Sequence, residues 1–418
     1  MAEVPDESKP SYSALLKNRP FSHLFVGQLI SQSGDAVFDV ALLWLVLATT
    51  GSTVLVGLTQ AAVLVPAVLI SPLAGVYADR VNRRNIMVVS NLFQGAITAV
   101  VSVLYLLSSL HYAVLIVLVL ALYTGAQFYR AASGAIMPRM VRKGDLGAAN
   151  GLFTLSQSFN QLVGYSAGGI IIYALGPVVP ITYDSLTFFA ASFILILIAK
   201  PYGVPRGASS DPTGPRASFS VDFKEGIRYV RGNRLFLEIM VLGLLVNFFF
   251  TAASTLLAPY AKFAVHGNAS TYGFLLSAFA LGVVVGSVLI GKVNFRRYVG
   301  KLVFFGIMGI GLLIATAGLV TSIPVAFADF VAVGVVLAAV NVPISTVIQA
   351  RIPGEMLGRV NTVLGATLAG AQPVAAVLAG VLAGLTTVST VFIGSGVAAA
   401  GATLALYPVF KELVSAQY

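Results

Sequence analysis

Twelve long apolar runs constrain this chain more than any other feature. They fall at residues 21–48, 54–78, 86–108, 113–136, 148–174, 178–199, 235–261, 271–291, 300–321, 324–349, 359–384 and 388–410. A helix that crosses a bilayer needs about 20 apolar residues. The runs are too long, and alternate too little, for barrel strands, so each reads as a spanning helix. Composition agrees: 58% of the 418 residues are hydrophobic and 10% are charged, too little charge to cover a soluble protein of this length. The first run is too long for a cleaved signal peptide and lacks a small-residue cleavage site, so it reads as a permanent span.

Basic residues test the count. With the N-terminus inside, 23 of the 25 Lys and Arg fall in inner loops or tails, as the positive-inside rule requires. Lys262 falls outside, and Arg130 lies within the fourth span. The net charge of +10 is therefore topological and does not indicate nucleic acid. The expected organisation is a cytoplasmic segment 1–20, a six-helix bundle 21–199, a cytoplasmic linker 200–234, a second six-helix bundle 235–410 and a cytoplasmic tail 411–418. The linker is rich in Pro, Gly, Ser and charge. Its stretch from Val221 to Arg231 has helical apolar spacing and is expected to lie as an amphipathic helix on the inner membrane surface. The protein is expected in the inner (plasma) membrane as a multi-pass monomer with both termini cytoplasmic.

A weak internal repeat supports two halves. Val141-x4-Leu146-Gly147-x2-Asn150 recurs as Ile352-x4-Leu357-Gly358-x2-Asn361, and Arg80-Val81-Asn82-x-Arg84 as Lys292-Val293-Asn294-x-Arg296. A looser match relates Asn18-Arg19-x-Phe21 to Asn233-Arg234-x-Phe236. The matches keep their order at nearly one offset. A duplicated six-helix unit places a substrate path at the interface of the halves, near mid-bilayer.

The segment Gly75-Val76-Tyr77-Ala78-Asp79-Arg80-Val81-Asn82-Arg83-Arg84 resembles the loop signature of the major facilitator superfamily, G-x-x-x-D-R-x-G-R-R. Asn82 replaces the usual Gly and is expected to tolerate a left-handed turn. The resemblance implies an all-α membrane fold of twelve helices in two pseudo-symmetric bundles. It also implies a cytoplasmic gate at Gly75, Asp79, Arg80, Arg83 and Arg84, in which Asp79 accepts charge-assisted hydrogen bonds that break between states. The plainer reading is that these arginines only set topology. In the second half Gly291 stands at the Asp79 position, so no equivalent acidic latch is expected there.

In the fifth span, Gly151-x8-Asn160-x3-Gly164-Tyr165-x2-Gly168-Gly169 looks like the antiporter motif of the same superfamily, with Asn160 and Tyr165 in place of its Gly and Pro. Gly164 and Gly168 form a small-xxx-small pair suited to close packing. Other features resemble the macrolide-efflux-like branch of the drug:proton antiporters. These are Gly27-Gln28-Leu29-Ile30-Ser31, Gly34-Asp35, Thr50-Gly51-Ser52, Pro72-Leu73-Ala74-Gly75, Pro138, Ala149-Asn150, Pro353-Gly354-Glu355 and Gly358-Arg359-Val360-Asn361. This resemblance implies secondary active export of small apolar or amphiphilic, drug-like compounds in exchange for protons, by alternating access.

Charges within spans are candidates for function, because each costs about 2.5–3.5 kcal/mol at a helix centre on insertion scales. Asp35 and Asp39 are four apart on one face of the first span. Two carboxylates on one face of a dry helix resist joint ionisation, so the pair can hold a proton. In the fold the resemblance implies, the first and fourth spans both face the cavity, which allows either a switchable Arg130–Asp35 pair or a static ion pair. Asp329, Gln157, Asn160, Gln161, Asn247 and Gln372 are further candidates for proton coupling or substrate binding. Asp184 is read as a charge at the start of the sixth span, with a helix-end or packing role. Phe248, Phe249, Phe250 and Phe279 are either an apolar substrate wall or lipid-facing filler.

The chain has no Cys, which excludes thiol catalysis and Cys-held metal or clusters. It has no Walker loop and no hydrolase-like or metalloenzyme-like spacing. No enzyme activity, cofactor or bound metal is expected. Three other readings stay open. One is a divalent-metal exporter resembling ferroportin, which shares a Gly-Asp in the first span. The others are uptake of another small solute, such as a sugar or peptide, and a non-transporting receptor or scaffold on the same fold.

Overall fold

The computed structural model describes residues 12–204, 219–293 and 298–414. Expectations for residues 1–11, for the linker stretch 205–218 with Arg206 and Arg216, for Asn294, Arg296 and Arg297, and for the tail from residue 415 lie outside the described residues.

Among the described residues the regular structure is helical, without strands. The longer helices are α1 (Arg19–Thr50), α2 (Thr53–Leu69), α3 (Ser71–Ala78), α4 (Arg83–Leu106), α5 (Tyr112–Ile136), α6 (Leu146–Leu175) and α7 (Val178–Ile196). They continue with α8 (Phe219–Gly232), α9 (Arg234–Thr255), α10 (Ala269–Gly291), α11 (Val299–Ala317), α12 (Ile323–Arg351), α13 (Gly354–Leu385) and α14 (Val388–Leu406). Helix is what an apolar environment demands, since it satisfies backbone donors and acceptors within one segment. Ten of these helices are long and apolar enough to cross a membrane, and the bent pair α2–α3 makes an eleventh. The other long helix, α6, has 30 residues, more than the bilayer requires. It is less apolar because it carries Gln157, Asn160 and Gln161.

Local sequence sets the breaks. Gly51 (φ +65°) turns the chain from α1 to α2, and Gly176 (φ +82°) turns it from α6 to α7, in the left-handed region that glycine enters without steric cost. The expected single span 54–78 is bent by 43° between α2 and α3. Pro72 lies in the first turn of α3, where a missing N–H costs no helical hydrogen bond. Asn82 caps α4 by accepting from the Asn85 backbone N–H, at φ −60° and ψ 113°. It is extended, so the expected left-handed turn is replaced by a helix cap. The run 235–261 is interrupted: α9 ends at Thr255, and after a turn at Leu256 a short α-helical segment, Leu257–Pro259, leads into a π segment, Tyr260–Ala264.

The chain divides into two compact units. The first holds Met1–Asp39, Leu69–Gly164 and Val178–Thr213, and the second holds Val40–Val68, Tyr165–Pro177 and Gly214–Tyr418. In the first, α3 and α4 pack on α5, and α4 packs on α7. In the second, α10 and α11 pack on α12, and α11 packs on α14. Counted by span, these pairings are the same, as a duplicated unit would give.

The units do not end where the two sequence halves do, because packing draws the end of α1, all of α2 but Leu69 and the end of α6 into the second unit. A Cβ on Gly57 of α2 would lie 3.0 Å from the Gly380 Cα of α13, and Thr53 donates to the Gly380 carbonyl at 3.0 Å. A Cβ on Gly169 of α6 would lie 3.0 Å from the Gly273 Cα of α10. Nearby, Ser166 donates to Ser277 at 2.6 Å. In a bilayer, small residues allow such backbone approach, and packing then replaces the hydrophobic drive.

The amphipathic segment of the linker forms α8, which packs on α13. Gly226 lets it approach closely: a Cβ there would lie 2.7 Å from the Arg359 carbonyl. Arg359 also pairs with Glu225 at 2.5 Å.

Candidate functional site

Helix α1 carries a ladder of polar contacts within the first unit. Ser133 of α5 donates to Gln28 at 3.3 Å, and Ser156 of α6 donates to Gln32 at 3.3 Å. Asn160 of α6 donates to the Leu29 carbonyl at 3.1 Å. Ser33 and Tyr183 of α7 share a hydrogen bond of 3.0 Å. Tyr123 of α5 donates to Asp39 Oδ1 at 2.8 Å. These contacts fix the rotation of α1, which sequence periodicity alone cannot supply.

Asp35 is the seventeenth of the 32 residues of α1, about 24 Å from its start at 1.5 Å per residue. It is exposed, whereas Asp39, one turn further, is half-buried. Asp39 and Arg130 both lie within electrostatic range of Asp35. Arg130 is exposed on α5. Among the described residues no ion pair within 4 Å joins it to Asp35 in this state. The expected Arg130–Asp35 pair is thus a near neighbour held apart.

Asp184 corrects its sequence reading. Helix α7 begins at Val178, so Asp184 lies nearly two turns inside it rather than at its start. It is 1% exposed and lies against Gly34 of α1. Gly34 makes this possible, because a Cβ there would lie 2.6 Å from Asp184 Oδ1 and overlap the Thr187 hydroxyl. The sequence signal was the Gly-Asp step on one helix and a lone Asp inside another apolar run.

The loop motif is built around Arg83. This buried side chain donates to the Ala78 carbonyl at 3.2 Å and to the Ala135 carbonyl of α5 at 2.9 Å. It also pairs with Asp79 at 3.3 Å. Arg84 donates to Asn85 and to the Ile196 carbonyl at the end of α7. Arg80 is exposed, and a Cβ on Gly75 would meet nothing within 4 Å. Two of the three arginines therefore tie helices together. Asp79, its side chain 71% exposed, stays available to a further partner.

The antiporter-like glycines divide by role. A Cβ on Gly151 would meet nothing within 4 Å. Gly164 faces Ala36 of α1, whose Cβ would lie 2.7 Å from an added one. Gly168 is buried, and the contact with α10 is made by Gly169. Gly164 and Gly169 thus each approach a different neighbouring helix. Asn160 is buried and bonded to α1, while Gln157 is exposed and Gln161 half-buried.

In the second unit, Gln372 of α13 donates to Asn247 of α9 at 3.1 Å, a bond between helices. Asp329 of α12 accepts from Thr316 of α11 at 3.1 Å. Phe250 and Phe279 have ring centroids 5.3 Å apart. Among the described residues no group of three or more His, Cys, Asp or Glu is placed to hold a metal ion.

These features are those of a membrane transporter, and the family profile that the chain matches places it in the major facilitator class, whose members are transporters and not enzymes. The profile of the transmembrane secretion effector family matches residues 10–415, and the chain belongs to that family. Macrolide efflux protein A of Streptococcus pyogenes is 23% identical over 90% of this chain and 92% of its own length. Multidrug efflux pump Tap of Mycobacterium tuberculosis is 26% identical over 85% of this chain and 84% of its own. Among solved structures, a bacterial homologue of the iron transporter ferroportin in an inward-facing state superposes with a TM-score of 0.71. That match has 16% identity and covers 96% of this chain and 99% of the other, a likeness of fold.

Proposed function

We propose that this protein exports small apolar or amphiphilic, drug-like compounds across the bacterial plasma membrane in exchange for protons, by alternating access. The observation that carries this reading is the polar cluster on α1: Asp35 and Asp39 one turn apart, Tyr123 donating to Asp39 at 2.8 Å, and Arg130 within electrostatic range of Asp35. Carboxylates that cannot all be ionised in an apolar setting exchange protons when a cation arrives or when access changes. The names of the efflux relatives support export of drugs over uptake. The Asp79 loop acts as the cytoplasmic gate: Arg83 holds the loop on α5, and the exposed carboxylate of Asp79 takes a partner in the other state. Both termini are cytoplasmic in this reading, as the distribution of Lys and Arg requires.

The test is proton movement in proteoliposomes under an imposed pH gradient, with lipophilic cations, macrolides and divalent metals added in turn. Wild type is compared with Asp35→Asn and Asp39→Asn. Proton release triggered by an organic compound and lost in an Asn variant is the expected result. A response to metals alone would replace this reading by metal export.

A further inference from the structure

The linker helix α8 carries charges that the reading above does not use. One face of it is occupied by the second unit. Gly226 and Val230 are buried, and a Cβ on Gly226 would lie 2.7 Å from the Arg359 carbonyl of α13. Beside them, Glu225 pairs with Arg359 at 2.5 Å, and Tyr229 packs on Phe236 of α9 with ring centroids 5.9 Å apart. Arg359 is the sixth residue of α13 and Phe236 the third of α9. Both helices are long and apolar enough to cross a membrane. Helix α8 is therefore fastened across the ends of two spans, where hydrocarbon gives way to headgroups.

The opposite face is basic. Lys224, Arg228 and Arg231 are exposed, and spacings of four and three put them within about 60° of one another around the helix. Half-buried Phe223 and Ile227 lie between this stripe and the docked face. Around the helix the order is thus docked, apolar, basic. An apolar flank beside a cationic edge fits a headgroup layer: the flank meets acyl carbon, and the long basic side chains reach the phosphates. Arg also presents a planar fork of donors that matches phosphate oxygens. We propose that α8 binds anionic phospholipid through Lys224, Arg228 and Arg231. Gly226 and the Glu225–Arg359 pair hold the helix at the depth this needs. The occupant is a lipid rather than free phosphate, because only a lipid brings an acyl chain for Phe223 and Ile227. The inference does not depend on what the protein transports.

Two measurements on the full-length protein test this. In neutral detergent, fluorescent phosphatidylglycerol is titrated against wild type and against Lys224→Gln/Arg228→Gln/Arg231→Gln. A basic residue near an anionic surface is worth about fivefold in affinity, so the triple variant is expected to bind at least about tenfold more weakly. Salt is expected to weaken wild-type binding. Lys292→Gln/Lys301→Gln removes exposed basic residues elsewhere in the same unit and is expected to bind as wild type does. No loss in the triple variant, or equal loss in both, would overturn the proposal, the second by showing attraction to net charge alone. Inorganic phosphate at matched ionic strength is expected not to displace the lipid; displacement would assign the stripe to a free anion. The second measurement keeps the three basic residues and so holds whatever the stability of the triple variant. The chain has no Cys, so Ile227→Cys takes a nitroxide label at one place. In nanodiscs containing phosphatidylglycerol, the label is expected to collide more with lipid-soluble oxygen than with a water-soluble nickel chelate. The reverse order would place α8 in bulk water and overturn the proposal.

Discussion

Replacing Gly34 by Ala tests how closely α1 and α7 approach at the acid cluster. The added Cβ would lie 2.6 Å from Asp184 Oδ1 and 3.0 Å from Asp184 Cα, and nearer still to the Thr187 hydroxyl. Favourable carbon contacts begin near 3.5 Å. Thr187 can turn away only by giving up its 2.8 Å bond to the Asp184 carbonyl. The Asp184 Cα is backbone and moves only if the helices separate. Overpacking costs about 1–3 kcal/mol; because backbone must move, this site takes the upper part of that range, about 2–3 kcal/mol, and the better helix propensity of Ala returns about 1 kcal/mol. The expected net loss is about 1–2 kcal/mol. Gly151→Ala is the matched control, because its Cβ would meet nothing within 4 Å. It is expected to be neutral or to gain up to about 1 kcal/mol. Thermal unfolding of both purified variants in one detergent gives the comparison, and the two shifts are expected to differ in sign. A Gly34→Ala protein as stable as wild type, or equal damage from both changes, would refute the close approach of the two helices.

Tyr123→Phe removes the 2.8 Å hydrogen bond to Asp39 without changing side-chain bulk. Folding is expected to persist while substrate-driven proton movement slows, and unchanged transport would detach Tyr123 from the mechanism. Arg83→Ala deletes bonds to two carbonyls and to Asp79 and is expected to cost about 1–3 kcal/mol. Arg80→Ala, at an exposed site, is expected to stay within about 0.5 kcal/mol of wild type; thermal melts of the two settle the contrast. Buried Glu238 accepts from the Leu413 backbone N–H at 2.7 Å and from Arg234 at 3.1 Å. Glu238→Ala strands that N–H and is expected to lower stability by about 1–3 kcal/mol, read as a lower melting temperature.

Hydropathy is local, so span positions and the helical class could be read directly. The break at Ile70 does not show in hydropathy, because the run stays apolar on both sides, and only the Ser71-Pro72 step beside it marks a helix start. Residue roles divided in the same way. The side chains of Asp35 and Asp39 share a face because four residues make about one turn. Whether Asn160 lines a substrate path or bonds to α1 depends on the rotation of α6, which no run of apolar residues encodes. The Leu29 carbonyl decides it. Gly164 and Gly169 likewise look like ordinary small residues until Ala36 and Gly273 are placed against them.

The sequence by itself determined that the chain lives in a bilayer, how many runs can cross it, which loops carry its basic residues, and which superfamily its Asp79 loop resembles. Those properties follow from transfer free energies and loop charges, each set within a window of about 20 residues. Only the tertiary structure decided that Asp184 is buried against Gly34 of α1. That glycine lies on another helix, more than 100 positions away in the chain, and its missing side chain leaves room for the carboxylate. It also decided that Arg83 ties the loop to α5 while Asp79 stays exposed. Helix rotation and the distance between backbones set both, and those depend on neighbours that hydropathy does not name.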